Sequence, residues 1–447
     1  MSHDWMFCDG NGGLDGHQKT SRMGISNGTT PQIAISRRNL LVGAGMGAIF
    51  WAIKSPALAQ LAFDPKRKRP NVLVNIFLRG GMDGLNAVVP YGDPDYHRAR
   101  PSLGLGTPQD STKTPADRVV DLDGFFGLHP ELSPLLPLYR EGRLALVHAA
   151  GSGDETRSHF EAMATMEHGM SAEATGTASG WLARHLQTTA ADINTPLRAV
   201  AFTSVMPDSL RGATNATALE SLADFRLASE SEQSVRFQVA LHELYGSGND
   251  AMSQAGRETL DVLKTLRTVE PGSYRPANGA KYPNSDLGKG LQQVAFLIKA
   301  GVGLEVAFLD KGGWDTHVAQ SQLFSGQVQD LGVSLAAFAQ DLGAEMSNVT
   351  TVVQTEFGRR VQENTGLGTD HGHGSVMFLL GGGVQGGRVH GRWPGLKVDS
   401  LDGPGDLQVT TDYRLVLAET LRNRLGNGRI SEVFPSLQTA ELGIVTA

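Results

Sequence analysis

The segment Gly368-Thr369-Asp370-His371-Gly372-His373-Gly374 packs a carboxylate and two imidazoles into four consecutive positions on a glycine frame. Imidazole nitrogen and carboxylate oxygen are the donors that borderline and hard divalent ions take, so the composition is that of a metal site. Three other polar clusters can complete it. In Gly312-Gly313-Trp314-Asp315-Thr316-His317, the offset of two puts Asp315 and His317 on one face if the chain is extended. Glu356 opens Glu356-Phe357-Gly358-Arg359-Arg360, and Asp83 stands in Arg79-Gly80-Gly81-Met82-Asp83-Gly84. Asp83, Asp315, His317, Glu356, Asp370, His371 and His373 are thus candidate ligands for a divalent metal, zinc, manganese or calcium. They suffice for two ions with open positions, and such a pair can clamp a phosphoryl-like group while activating a nucleophile.

Plainer roles are open to the same residues. Asp83 suits a turn before Gly84, Glu356 can pair with Arg359 or Arg360, and a histidine of the glycine segment can stabilise its own loop or stand behind a ligand. The candidate catalytic groups are Thr156, Ser158 and His159, with Arg79 and Arg359. Ser158 and Thr156 lie near an expected helix start, where free N–H groups and the helix dipole favour an anion. Ser158 is a possible nucleophile and equally an N-cap, and a metal-bound water could attack with no serine involved. His159 is open as outer ligand, general acid or core residue. Arg79 and Arg359 can bind oxyanion oxygens bidentately. His97, His129, His168, His185 and His242 have no polar cluster around them and are expected to be structural or superficial.

The elements that must position these groups repeat one grammar. Asn71 to Leu78 is almost wholly apolar and reads as a central strand covered on both faces; it runs into the Arg79–Gly84 turn. Arg143 to Ala149 leads into Gly151-Ser152-Gly153-Asp154 and a helix from Thr156 through Met166. Leu304 to Leu309 leads into the Trp314–His317 turn, and Thr350 to Thr355 into Glu356. Each strand ends in a turn bearing chemistry, which is where open α/β sheets hold ligands. A helix over Gln320 to Met346, with Leu331, Leu335, Phe338 and Leu342 on one face, makes a βαβ unit between the last two strands, so the sheet is expected to be mostly parallel. The stretch from 210 to 300 reads as helices, Thr217 to Tyr245, Arg257 to Thr268 and Leu291 to Ala300. They form either an inserted helical region or ordinary crossovers. Asp412 is placed to cap a last helix, Leu415 to Leu425.

With 447 residues, 40% hydrophobic and 19% charged, the chain can bury a large core. A formal charge of -7 gives no electrostatic reason to expect a nucleic-acid partner. Ser36-Arg37-Arg38-Asn39-Leu40-Leu41, the weakly apolar run Val42 to Ile53 and Ser55-Pro56-Ala57-Leu58-Ala59 read as a twin-arginine signal with cleavage after Ala59. The apolar run is too short to span a bilayer comfortably. The expected organisation is a leader over 1–59 and a single domain over 60–447. The partners are then the twin-arginine export machinery and an anionic substrate, small or polymer-derived, met in the periplasm or outside the cell. Cleavage there removes Cys8, the single cysteine, and with it any disulfide or cysteine nucleophile.

The chain resembles the DUF1501 family of exported bacterial proteins. The resemblance lies in Phe77 to Asn86 with Val89-Pro90-Tyr91, in Thr156-Arg157-Ser158-His159-Phe160, and in Trp314-Asp315-Thr316-His317. It continues in Thr355-Glu356-Phe357-Gly358-Arg359, Gly368 to Gly374 and Gly391-Arg392-Trp393-Pro394-Gly395. It implies an alkaline-phosphatase-like α/β core, a three-layer sandwich on a mostly parallel sheet. That superfamily, of phosphatases, sulfatases and cofactor-independent phosphoglycerate mutases, surrounds two metals with a carboxylate after the first strand, a hydroxyl nucleophile at a helix start, and later Asp and His clusters. Asp83 matches the first role, Ser158 or Thr156 the second, and Asp315, His317, Glu356, His371 and His373 the later ones. Members often carry an adjacent Asp-His where this chain has Glu356-Phe357. Either His371 or His373 compensates from the next loop, or one of the two metal sites is altered or absent. The resemblance points to a metal-dependent hydrolase of phosphate or sulfate esters. A metal enzyme acting on carbohydrate or another non-phosphate bond, and a non-catalytic metal-binding or assembly protein, are the alternatives.

Overall fold

The computed structural model describes residues 70–171, 178–190, 195–222 and 240–447, except 242, 247, 249 and 270. The expected signal segment therefore lies outside the described residues. In chain order, the strands of the main sheet are Val72–Leu78 (β1), Leu144–Gly151 (β2), Ala199–Phe202 (β3), Ala216–Ala218 (β4), Val306–Lys311 (β5), Val349–Thr355 (β6), Ser375–Gly381 (β7), Val389–His390 (β8) and Thr411–Asp412 (β9). Their spatial order is β8-β2-β7-β6-β1-β5-β3-β4, with β9 also pairing β2. All pairs are parallel except those of β7, which runs against both β2 and β6.

The apolar run of β1 is buried at every residue, because the sheet is covered twice. Val72, Val74, Ile76 and Leu78 join a core that includes Leu291 and Val294 of the helix Asp286–Ala300 and Leu331, Leu335 and Phe338 of the helix Gln320–Leu342. Leu73 and Phe77 join the opposite core, with Trp181 and Leu182 of Trp181–Thr188 and Val416, Leu417 and Leu421 of Tyr413–Leu425. The period-two alternation of β1 thus feeds two helical layers, giving the three-layer α/β sandwich expected. We label the helices used below α1 (His159–His168), α2 (Trp181–Thr188), α3 (Asp286–Ala300), α4 (Gln320–Leu342) and α5 (Tyr413–Leu425).

The expected last helix is α5, with Asp412 accepting from the Arg414 N–H as its N-cap. Residues 210 to 300 differ from expectation at one end. Ala216–Ala218 is an edge strand paired in parallel with β3, so no helix starts at Thr217. Thr217 is β-branched but Ala216 and Ala218 on either side favour helix, so it is the parallel pairing with β3 and not local propensity that makes this segment extended. The rest of that expected helix falls largely outside the described residues. Among the described residues no helix is long and apolar enough to cross a membrane.

Candidate metal centre

Register builds the site. Leu78, the last residue of β1, is level with Lys311 of β5 on one side and with Thr355 of β6 on the other. The three turns that follow, carrying Gly80, Asp315 and Glu356, therefore leave the sheet at one height. Strand β7 is antiparallel to β6, so it starts where β6 ends, and the segment before it, with His371, comes to the same edge. The turns interlock closely. A Cβ on Gly80 (φ +122°) would lie 2.5 Å from the Asp315 nitrogen, and one on Gly358 would lie 1.9 Å from the Gly374 carbonyl oxygen. These close approaches require glycine and explain why the loops are rich in it.

Four side chains converge there. His159, Asp315 and His371 each offer a ligand atom within 4.8 Å of the others. His317 joins them, with its Nε2 3.0 Å from Asp315 Oδ1 and 2.9 Å from His371 Nε2. The other ring nitrogens fix the tautomers. His371 Nδ1 is 2.9 Å from the Arg157 carbonyl, which can only accept, so Nδ1 carries the proton and Nε2 presents a lone pair. His317 Nδ1 donates in the same way to Asp370 Oδ1 at 3.2 Å, and His159 Nδ1 to Glu356 Oε1 at 2.7 Å. Two imidazole lone pairs, on His317 and His371, then face each other beside the carboxylate oxygen of Asp315. The Nε2 of His159 is buried with no hydrogen-bond partner. Acceptors crowded together without protons between them repel one another unless a cation lies among them. The donor set therefore fits a divalent ion bound through nitrogen and oxygen. Asp315 is 47% and His317 40% exposed at the side chain, so the cluster opens to solvent and leaves room for a further ligand.

The electrostatics follow from the same contacts. Burial pushes the Asp315 carboxyl up, but the hydrogen bond and charge of Arg359 outweigh it and bring the pKa to about 2. Burial likewise raises Glu356, and hydrogen bonds from His159, its own backbone N–H, the Gly80 N–H and Thr355 more than reverse it, leaving the pKa below the usual range. His159 is held above the usual histidine range, first by its hydrogen bond to Glu356. His371 is pushed down, first by burial. Asp370 is lowered, first by its hydrogen bond from Asn364. The carboxylates are ionised at neutral pH and His371 is neutral, the states a cation needs, whereas the raised pKa of His159 means that a bound cation must displace a proton there.

The remaining candidates are placed as follows. Glu356 is buried behind His159 and also accepts the Gly80 N–H at 2.7 Å, which makes it a carboxylate that orients a ligand histidine. Asp370 stands in the same way behind His317, with Asn364 Nδ2 on its Oδ1 at 3.0 Å. Arg359 is buried and spans the loops. It donates to the carbonyls of Gly81, Gly80, Trp314 and Thr369 and, at 2.6 Å, to Asp315. Its guanidinium is thereby committed to protein groups. Arg79 is also committed, to Asp310 at 2.8 Å and Glu167 at 2.8 Å. Asp83 lies outside the cluster: it is fully buried, 2.6 Å from Arg100 Nη1, and accepts from Gln320. His373 is buried elsewhere, its Nε2 donating to the Ser152 carbonyl at 2.9 Å. Of the two histidines in the glycine segment, only His371 enters the cluster. Thr156 is held in a turn by Asp154, and Ser158 is the N-cap residue of α1 without a side-chain capping bond.

Reading from sequence missed three contributors. Phe357 lies 4.9 Å from both the His159 and His371 rings and spaces them. It was visible only as part of a motif, with no polar atom to mark it. Asn364 and the Arg157 carbonyl orient His317 and His371, and neither a lone asparagine nor a backbone oxygen carries a signal in sequence.

Three solved structures show the level of likeness to known folds. The C-terminal periplasmic domain of EcEptC from Escherichia coli, in complex with Zn, is 10% identical over 71% of this chain and 74% of that chain, with a TM-score of 0.33. The lipoteichoic acid synthase LtaP from Listeria monocytogenes is 9% identical over 84% and 79%, with a TM-score of 0.36. The alkaline phosphatase from the Antarctic bacterium TAB5 is 12% identical over 71% and 93%, with a TM-score of 0.27. Values this low bear on neither substrate nor metal. No curated protein matches the chain. The family profile described as "Protein of unknown function (DUF1501)" matches residues 70–421, and the chain belongs to that family.

Proposed function

We propose that this protein is an exported, metal-dependent hydrolase of phosphate or sulfate esters, with its cation held by His159, Asp315, His317 and His371. The observation that carries this reading is the inward convergence of the Nε2 atoms of three imidazoles on Asp315, with His159 Nε2 buried, without a hydrogen bond and 3.5 Å from Asp315 Oδ2. A divalent ion there would supply Lewis-acid polarisation of an ester oxygen and lower the pKa of a bound water. The protein's own part is orientation. Glu356 and Asp370 hold the Nδ1 protons of His159 and His317, and Arg359 fixes Asp315 to the backbone of three loops. Since Arg79 and Arg359 are engaged, Arg360 is the candidate cation for an oxyanion among the described residues at the site; it is one-third exposed and its ion pairs with Asp370 and Asp406 are long, at 3.9 Å. Ser158 precedes the ligand histidine and its hydroxyl makes no capping bond, which keeps it as the candidate nucleophile. Export by the twin-arginine route, to the periplasm or beyond, belongs to the same proposal and rests on Arg37-Arg38 and the segment to Ala59.

A second reading is a non-catalytic metal-binding protein. It is favoured by the same engagement of Arg79 and Arg359 and by the burial of Asp83 against Arg100, which leaves one metal position well furnished instead of two. One experiment separates the readings. The protein is stripped with chelator, titrated with Zn²⁺ or Mn²⁺, and assayed against aryl phosphate and aryl sulfate, beside His159→Ala and His371→Ala. One tightly bound equivalent, lost in both variants together with ester hydrolysis, supports the hydrolase. Binding without turnover of either ester moves the weight to the second reading, and absence of binding overturns both.

A further inference from the structure

We propose that the ion pair between Arg157 and Asp406 is a positioning device for the metal centre, setting the backbone carbonyl that fixes the His371 tautomer. The inference rests on the proposed metal site and adds two residues that touch none of its ligands through their charged ends. Arg157 has φ +57°, the left-handed region that a long side chain rarely adopts. It lies in the turn between Asp154 and α1, and its carbonyl accepts the His371 Nδ1 proton at 2.9 Å. With that proton fixed, Nε2 is left as the donor facing Asp315 and His317. The next two residues are Ser158 and the ligand His159, so the same backbone turn aims both histidines.

What holds Arg157 in that conformation is a carboxylate 249 positions away. Its Nε donates to Asp406 Oδ2 at 2.7 Å and a second guanidinium nitrogen bonds the same oxygen. Asp406 is fully buried, at 0% exposure. A Cβ on Gly403 would lie 2.6 Å from the guanidinium, so the glycine (φ +49°) makes space for it. The turn bearing Asp406 is itself tied to the site loops. Arg360 and Asp406 form a backbone bridge, the Val361 N–H donates to the Gly405 carbonyl at 3.0 Å, and the Gly374 N–H to the Leu407 carbonyl at 2.9 Å. One buried carboxylate thereby couples the loop before α1 to the loop before β7. Strain at a functional turn persists when its surroundings over-determine it, and here the ion pair supplies that constraint.

Glycine makes the test specific, because it adopts φ near +57° without strain and keeps the carbonyl. The variants are Arg157→Ala, Arg157→Gly, the double variant Arg157→Gly/Asp406→Asn, and His371→Ala, each checked for cooperative unfolding. Two readouts are taken: Zn²⁺ affinity by competition with a chelator, and the His371 tautomer in the metal-free protein by ¹⁵N-resolved NMR. Loss of an orienting partner typically weakens binding about 10- to 100-fold, and that is expected of Arg157→Ala, with a mixed His371 tautomer. Arg157→Gly and the double variant are expected to stay within about threefold of the parent and keep the Nδ1–H form. A folded Arg157→Ala protein with parental affinity and a pure Nδ1–H tautomer overturns the proposal. If His371→Ala binds Zn²⁺ as the parent does, the metal-site reading fails instead, and the tautomer spectra of the metal-free variants still decide the role of Arg157.

Discussion

Glu356 and Asp83 show how two carboxylates at neighbouring turns come to do different work. Glu356 is buried but linked to a ligand face through His159, so its removal should act on the cation. Glu356→Gln keeps the shape and can still pair with Nδ1 only by losing the charge that orients the ring. We expect cation affinity to fall about 10- to 100-fold with little change in unfolding midpoint, measured by chelator competition and thermal denaturation on the same sample. Asp83 is sealed against Arg100, both side chains at 0% exposure. Asp83→Ala strands a buried guanidinium, and such a loss costs about 3–5 kcal/mol. The metal stoichiometry of any folded fraction should stay that of the parent. A variant that instead kept its stability and lost the cation would return Asp83 to the ligand set. The sequence motif around Gly84 could not distinguish these residues, since burial against Arg100 depends on a residue 17 positions on that no local pattern pairs with it.

At the scale of elements, the strand runs and their glycine turns were legible because hydrophobic period and chain punctuation are local signals. β1, β5, β6 and α4 lie within a few residues of where apolar patterning puts them. The order of the strands was not legible, and the site depends on it. His371 reaches the cluster because β7 inserts antiparallel between β6 and β2, and nothing in the residues of β7 encodes that direction. His373, two residues nearer that strand, is turned toward Ser152 instead. The same insertion brings Gly358 against Gly374, with the Gly358 N–H donating to the His373 carbonyl at 2.8 Å. Gly358→Ala places a methyl where only 1.9 Å is free of the Gly374 oxygen, so one loop must move. We expect a clear drop in unfolding midpoint together with weaker cation binding, whereas Gly428→Ala, with nothing near its Cβ, should change neither binding nor loop geometry. Parental cation affinity in Gly358→Ala would mean that the loops tolerate separation.

For the molecule as a whole, the buried histidines outside the site set how it responds to acid. His129, His148 and His185 were expected as unclustered or strand residues and prove to be buried in separate parts of the structure. Each ring uses a nitrogen as an acceptor: His129 from the Glu131 N–H, His148 from the Ala149 N–H, and His185 from Asn427. Protonation would break those bonds inside the core, and burial pushes the pKa values down to about 4, 4 and 3. A depressed folded-state pKa means that the unfolded chain takes up protons first. The stability these groups contribute is present above pH 6.5 and is lost as pH falls from there through the folded values. Asp310 runs the other way, pushed up to about 6 by burial against the pull of Arg79; its contribution is lost as pH rises through that range, so one carboxylate partly offsets three imidazoles. Between pH 7 and pH 5 each histidine can remove up to about 2 kcal/mol. Urea unfolding in the presence of chelator, which removes the linkage to metal, should therefore show a steep fall in stability across that interval. Replacing His148 by Gln should flatten the slope by up to one proton, about 1.4 kcal/mol per pH unit. A stability independent of pH from 7 to 5 would mean that these rings are protonated alike in the folded and unfolded chain, and would contradict their burial as neutral acceptors.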